Sequence, residues 1–213
     1  MLGVLVLAAS LGPAEAGRCA EPPRIASGAA ALHGEVLEAE PFLVAEIQDM
    51  ARRSGKVLVH PPLGFYLAGF GHQLDIRSVT EASPDGARCG TLTTVTLRLV
   101  LINRAVVVAS DLHEHGCDRE AVARHYRMHA AADDRSLSQA VQVLNKSLLA
   151  AWPAIRKRLP ASGLPVEADL RTAVQQVIAR PIAAVEQARA AAIAEVDTAT
   201  EVLALASSCA TRL

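Results

Sequence analysis

The longest regular pattern in this 213-residue sequence is a helical one near the C-terminus. From Glu167 to Ser208 the chain is rich in alanine, and apolar residues recur every three or four positions. The spacing predicts a long amphipathic helix, which Pro181 is expected to kink. Such a stripe must pack against its own domain, a second copy or a peptide or protein partner. It consists of Leu170, Val174, Ile178, Ile182, Val185, Ala188, Ala192, Val196, Ala199 and Leu203.

The middle of the chain has strand patterns instead. Residues alternate between polar and apolar from Thr94 to Leu99, and a β-branched run extends from Arg104 to Ala109. Because Asn103 between them is a turn residue, we predict a β-hairpin at about 93–109. Shorter strands are predicted at Lys56–His60 and Leu74–Thr80, with a turn at Ser83–Gly86. Together with the helices, this indicates an α+β fold with a small, mostly antiparallel sheet.

Two further helical stretches complete the outline. One extends from Pro41 to Met50 and is closed by Gly55. Asp118 is a candidate N-cap for a second stretch, which is either one long helix or two helices broken near residues 133–136. Prolines at 153, 160 and 165 mark a boundary, so we divide the chain into an α+β domain, 17–152, and a helical C-terminal region, 153–213.

The N-terminus has the pattern of an export signal. An apolar run, Leu2–Leu11, precedes Ala14-Glu15-Ala16, which fits a small-x-small cleavage site. We therefore predict a signal peptide at 1–16 and a periplasmic or secreted protein without a membrane span after cleavage; the alternative is a buried N-terminal helix. The net charge is −1 and no basic patch occurs, which argues against nucleic acid as a partner.

Four cysteines in the mature chain agree with export, because an even number in a secreted protein suggests disulfides. Cys89 and Cys117 lie at equal distances from Asn103, one on each side of the predicted hairpin. An antiparallel pair of strands would bring them together, so we expect a Cys89–Cys117 disulfide. By elimination, Cys19 would pair with Cys209.

Histidine placement indicates a metal site. On the second predicted helix, His125 and His129 are four residues apart and lie on one face, a spacing at which two imidazoles can share one zinc ion. Asp133 continues that face and is the expected third ligand. The alternative is a pair of exposed or core-edge histidines, since this spacing also arises by chance.

The zinc-peptidase motif is His-Glu-x-x-His, in which the glutamate activates the metal-bound water. This chain instead has His125-Tyr126-Arg127-Met128-His129. Tyrosine, with an ordinary pKa of about 10, is a poor base at neutral pH. The motif therefore predicts metal binding with impaired or absent hydrolysis.

The stretch from Cys89 to Leu137 resembles a zincin-like family of exported bacterial proteins, the domain-of-unknown-function 922 type. The resemblance comprises Cys89, the strand residues 95–97 and 104–109, Cys117, Val122, His125, His129 and Asp133. It implies that His125, His129 and Asp133 are metal ligands, whereas the glutamate role has no counterpart because Tyr126 stands there. It also implies a relative of zinc metallopeptidases.

Other interpretations remain open from the sequence. The chain could be a non-catalytic periplasmic interaction or scaffold protein that uses its C-terminal helix, or a metal scavenger that adds His113 and His115 to the histidine pair. Glu114 between these two could substitute as a base, although the segment is more typical of a polar surface loop. Asn145-Lys146-Ser147 fits the glycosylation pattern, but its predicted helical location favours chance occurrence.

Overall fold

The computed structural model describes residues 26–54, 62–82, 88–155 and 166–209. The predicted signal peptide, Cys19, the predicted strand Lys56–His60 and the predicted turn Ser83–Gly86 lie outside these ranges. The fold is α+β, as predicted. Its elements are β1 (Ala26–His33), β2 (Val36–Ala39), α1 (Val44–Arg53), β3 (Gly64–Ala82), β4 (Arg88–Val108), a 3₁₀-helix (Leu112–His115), α2 (Arg119–Ile155), α3 (Val166–Ala194) and α4 (Ala199–Ser207).

The sheet is mixed and centred on β4. Strand β3 pairs with β4 antiparallel, whereas β1 and β2 both pair with it parallel. Ala26 pairs with Thr94 and Val36 with Arg104, the same offset, so β1 and β2 continue one another along β4. The prediction of a mostly antiparallel sheet is wrong, because two of these pairings are parallel. Alternation along a strand does not encode the direction of its neighbour.

The predicted hairpin at 93–109 is also wrong, because both of its arms belong to the single strand β4. Asn103 has a φ of 51°. Opposite it, the register with β3 shifts between Leu67 and Gly69. This shift is a β-bulge, in which β4 contains one residue more than β3. The buried residues within Val95–Leu101 have odd numbers, whereas Val106 and Val108 have even numbers. The extra residue lets both groups face covered sides of the sheet. Asparagine tolerates the left-handed conformation in a bulge as well as in a turn.

The helices largely follow the sequence pattern. Helix α2 is unbroken, and Asp118 caps it by accepting the backbone N–H of Glu120 at 3.0 Å. The C-terminal pattern forms two helices rather than one. The chain continues as α3 through Pro181 and then breaks at residues 195–198 before α4. No helix in the described ranges combines the length and apolar character that a membrane crossing requires.

One apolar cluster joins the sheet to α2 and α3. It contains the fully buried Leu97 and Leu99 of β4, Leu144 of α2, and Leu170 and Val174 of α3. The first half of the predicted C-terminal stripe, Leu170–Val185, is thus buried within the chain and gives no separate reason for a partner. A second cluster lies around α1, the end of β4 and the start of α2.

A disulfide joins Cys117 to Cys209. Both predicted pairings, Cys89–Cys117 and Cys19–Cys209, are therefore wrong. The 21 residues of β4 run straight through the predicted turn, so Cys89 lies near the start of this strand and Cys117 beyond its end. The bond connects the segment before α2 to the segment after α4, and the backbone N–H of Asp118 donates to the carbonyl of Ser208 at 2.9 Å.

Candidate metal centre

Two histidines on α2 form one side of a compact polar cluster. His125 and His129 are each only 5% exposed, and their Nε2 atoms are 3.2 Å apart. Their spacing of four residues places both rings on one helix face, as the sequence predicted. A histidine that is this deeply buried usually has a hydrogen-bond partner, because burial of a polar ring without one is unfavourable.

The partner is Asp197, which the sequence analysis missed. Its Oδ1 lies 3.3 Å from Nε2 of His125 and 3.1 Å from Nε2 of His129. The residue sits in the break between α3 and α4, where its N–H donates to the carbonyl of Ala194 at 3.1 Å. Its side chain is 53% exposed, so the cluster is open to solvent on this side.

A sequence signal for this break does exist. Thr198 and Glu201 have the spacing of a capping box, and the N–H of Glu201 donates to Oγ1 of Thr198 at 3.3 Å. That signature predicts a helix start at residue 199 and a loop position for Asp197. It does not predict that the loop returns to α2, because Asp197 lies 68 residues after His129.

The three candidate ligand atoms form a nearly equilateral triangle with edges of 3.1, 3.2 and 3.3 Å. Bonds of about 2.0–2.1 Å at tetrahedral angles hold ligand atoms about 3.3–3.4 Å apart. Hydrogen bonding alone does not satisfy all three edges. If both histidines donate to Asp197, their two N–H groups face each other; if one donates to the other, a lone pair faces the carboxylate. His125, His129 and Asp197 could therefore hold a metal ion.

The environment of His129 favours its neutral imidazole, the form that binds metal. Burial lowers the pKa of His129 below its ordinary value; the carboxylate of Asp197 opposes this and His125 adds to it. The backbone of Ile193 also acts against the lowering of the His129 pKa. Nδ1 of His125 is buried without a hydrogen-bond partner among the described residues.

Tyr126 occupies the position of the peptidase glutamate and packs beside the cluster. Its ring is stacked on His129, with centroids 5.7 Å apart, and meets His125 edge-on at 5.0 Å. Burial raises the pKa of Tyr126 above its ordinary value, and Asp197 adds to the effect. Its ring also contacts Gly64, where a Cβ would lie 2.7 Å from the ring carbon Cε2. Tyr126 is therefore a packing residue rather than a base.

Asp133, the expected third ligand, has other partners. It is fully buried and forms a two-pronged ion pair with Arg189 of α3, with Nε–Oδ1 at 2.5 Å and Nη2–Oδ2 at 2.8 Å. It also accepts the hydroxyl of Tyr66 at 3.1 Å. This carboxylate is neutralised locally and does not join the His125–His129 cluster.

The ion pair continues into a polar network that is buried at Arg104 and partly exposed at Asp134 and His33. Arg104, 4% exposed, donates from Nε to the Tyr66 hydroxyl at 3.2 Å and pairs with Asp134 at 2.9 Å. Asp134 in turn contacts Nδ1 of His33 at 2.6 Å. The network joins α3, α2 and three strands, and it gives Asp133 a structural role.

The second histidine group, His113 and His115, lies on the 3₁₀-helix before α2. The side chains of His113 and Glu114 are 80% and 68% exposed, and His115 contacts Asp111 at 3.4 Å. Within the described ranges, neither histidine belongs to a group that could hold a metal.

Asn145, the first residue of the glycosylation pattern, has a structural role. Its Oδ1 accepts the N–H of Ala29 at 2.6 Å, and its Nδ2 donates to the Ala29 carbonyl at 3.4 Å.

Comparison with known proteins adds no relative. No protein-family model, no curated protein and no solved structure matches this chain. The His125–His129–Asp197 cluster is therefore the feature of this chain that bears on its function.

Proposed function

We propose that this chain is an exported zinc-binding protein, with the ion held by His125, His129 and Asp197. The observation that carries the proposal is the ligand triangle, whose edges of 3.1–3.3 Å suit a tetrahedral ion. Export is supported by the N-terminal pattern and by the Cys117–Cys209 disulfide, a bond typical of oxidising compartments.

Two arguments favour zinc among the metals. Two imidazoles and one carboxylate suit zinc better than magnesium or calcium, which prefer shells made of oxygen atoms. Three protein ligands also leave one tetrahedral position, and the exposed side of Asp197 lets water reach it. An open position of this kind is typical of catalytic zinc sites.

Peptidase activity nevertheless lacks its base. Tyr126 replaces the glutamate, and its raised pKa keeps the phenol protonated at neutral pH. Asp197 would be occupied as a ligand. We therefore propose a relative of zincin-like proteins that binds metal without appreciable hydrolysis of peptides.

Equilibrium dialysis against Zn²⁺ tests the proposal. One tightly bound ion per chain is expected for the wild type. His125→Ala and His129→Ala should abolish stoichiometric binding, and Asp197→Asn should weaken it. His113→Ala is the matched control, because this exposed histidine lies outside the cluster. Circular dichroism shows whether each variant is folded.

Two results would overturn the proposal. One is a folded wild-type protein that takes up no zinc; the other is stoichiometric zinc binding that persists in all three variants, His125→Ala, His129→Ala and Asp197→Asn. A parallel assay compares zinc-loaded and metal-free protein on an unfolded protein substrate. Equal, background rates are expected; metal-dependent cleavage would restore the peptidase interpretation.

A further inference from the structure

Helix α4 is held at both ends to the start of α2. At its N-terminal end, Asp197 contacts His125 and His129 at 3.3 and 3.1 Å. At its C-terminal end, Cys209 is bonded to Cys117, and the Ser208 carbonyl accepts the N–H of Asp118. The candidate metal centre and the disulfide are thus two attachments of one nine-residue helix.

Little else holds this helix among the side chains that the structure describes. Leu205 packs against the second apolar cluster, whereas Leu203 is 59% exposed. A helix of nine residues is marginal by itself in water, so its position depends on what fixes its ends. The N-terminal end of α4 is held by the turn after α3, in which the N–H of Asp197 donates to the carbonyl of Ala194. The C-terminal end is held by the disulfide.

The disulfide also shortens the path along the chain between Asp197 and the two histidines. Without the disulfide, Asp197 is connected to His129 through 68 residues, which include the link between α2 and α3. With it, a second path exists: eight residues from Cys117 to His125 and twelve from Asp197 to Cys209. A shorter closed path leaves Asp197 fewer accessible positions, so less conformational entropy is lost when its carboxylate binds the metal ion.

We infer that the Cys117–Cys209 disulfide positions Asp197 for metal binding, so that its redox state sets the affinity of the centre for zinc. This inference rests on the proposed function and adds regulation to the same site. Because coupling between two sites is reciprocal, bound zinc should protect the disulfide from reduction by the same factor.

The first test measures zinc affinity by competition with a chromogenic chelator. The variant Cys117→Ser/Cys209→Ser lacks the bond and has no free thiols at these positions that could bind zinc. We expect it to bind zinc about 5- to 100-fold more weakly than the wild type. The matched control repeats the comparison in an Asp197→Asn background, where the third ligand is absent and removing the disulfide should change affinity little.

The second test uses the wild type and so does not require the double variant to fold. In glutathione buffers, two glutathione thiols reduce the bond, giving two cysteine thiols and one glutathione disulfide. Peptide mapping then measures the fraction of the Cys117–Cys209 bond. Added Zn²⁺ should raise that fraction in the wild type but not in Asp197→Asn, which also controls for binding of zinc by glutathione.

The outcomes separate the two proposals. A wild type that binds no zinc contradicts the proposed function itself. Zinc bound equally well with and without the disulfide, together with a zinc-independent disulfide fraction, contradicts only the coupling. The coupling is also overturned if removal of the disulfide weakens zinc binding equally in the Asp197→Asn background, because the effect would then not depend on Asp197.

Discussion

Asp133 and Arg189 form a buried ion pair that joins α2 to α3 through two parallel hydrogen bonds. Asp133 is fully buried, Arg189 is 9% exposed, and the guanidinium also lies 4.6 Å from the centre of the Phe70 ring. The pair lies on the same two helices as the metal cluster, with Asp133 four residues after His129 and Arg189 eight before Asp197.

Breaking this pair should be costly. Asp133→Asn leaves the Arg189 charge buried without its counter-ion, and we expect a loss of about 3–5 kcal/mol in the free energy of unfolding. Urea denaturation measures it. Asp49→Asn is the control, because its pairs with Arg52 and Arg53 are exposed and should contribute at most about 1 kcal/mol. Similar losses for both variants would contradict a buried, charged role for Asp133.

The metal-free protein should lose stability on mild acidification. Burial keeps the pKa of His129 below its ordinary 6.5, despite Asp197 and with a contribution from His125. Below about pH 6.5 the unfolded chain takes up a proton that the folded chain resists, so stability is full above this pH and falls from there towards the lowered pKa. Thermal unfolding between about pH 7 and 5, with chelator present, measures the effect. His129→Gln should flatten the profile; an unchanged slope would exclude this histidine as its source.

Substitution of Gly64 should disturb the packing beside the cluster. A Cβ there would lie 2.3 Å from the Val107 carbonyl oxygen and 2.7 Å from the Tyr126 ring. Gly64→Ala is expected to destabilise the protein by about 1–3 kcal/mol. In the same strand, a Cβ on Gly71 would meet nothing within 4 Å, so Gly71→Ala should be neutral or stabilising by up to about 1 kcal/mol. Equal effects of the two substitutions in chemical denaturation would contradict this packing.

Asn145 should matter for the edge of the sheet. Its amide satisfies the backbone of Ala29 in β1, much as a neighbouring strand would. Asn145→Leu is expected to cost about 1–3 kcal/mol and to speed amide exchange at Ala29. Exchange at Leu99 in the covered β4 should change only with global stability. Unaltered protection of Ala29 in hydrogen-exchange measurements would contradict the contact.

The sequence predicted well those features that depend on neighbours along the chain. The spacing of His125 and His129 was sufficient to place both rings together, and the apolar face of α3 followed from the same helical period. The Asp118 cap followed from the preference of aspartate for the N-cap position. The error at Asn103 was also local: a left-handed residue is compatible with a turn or a bulge, and only the partner strand distinguishes them.

The third ligand shows the limit of that reasoning. Asp133 satisfied the helical spacing, but Arg189 from α3 took its carboxylate, and Asp197 from the interhelical break reached the histidines instead. Both outcomes depend on how α3 lies against α2. No spacing within α2 contains that information.

The sequence by itself determined the helical periods, the strand-forming segments at 74–80 and 94–109, the cap of α2 and the paired imidazoles, because each depends on dihedral preferences and contacts within a few residues. It did not predict the strands β1 and β2. The tertiary structure decided the parallel pairing of β1 and β2 with β4, the Cys117–Cys209 bond and the choice of Asp197 over Asp133. These depend on contacts between distant segments, which form only when burial of the apolar faces of α2, α3 and the sheet brings those segments together.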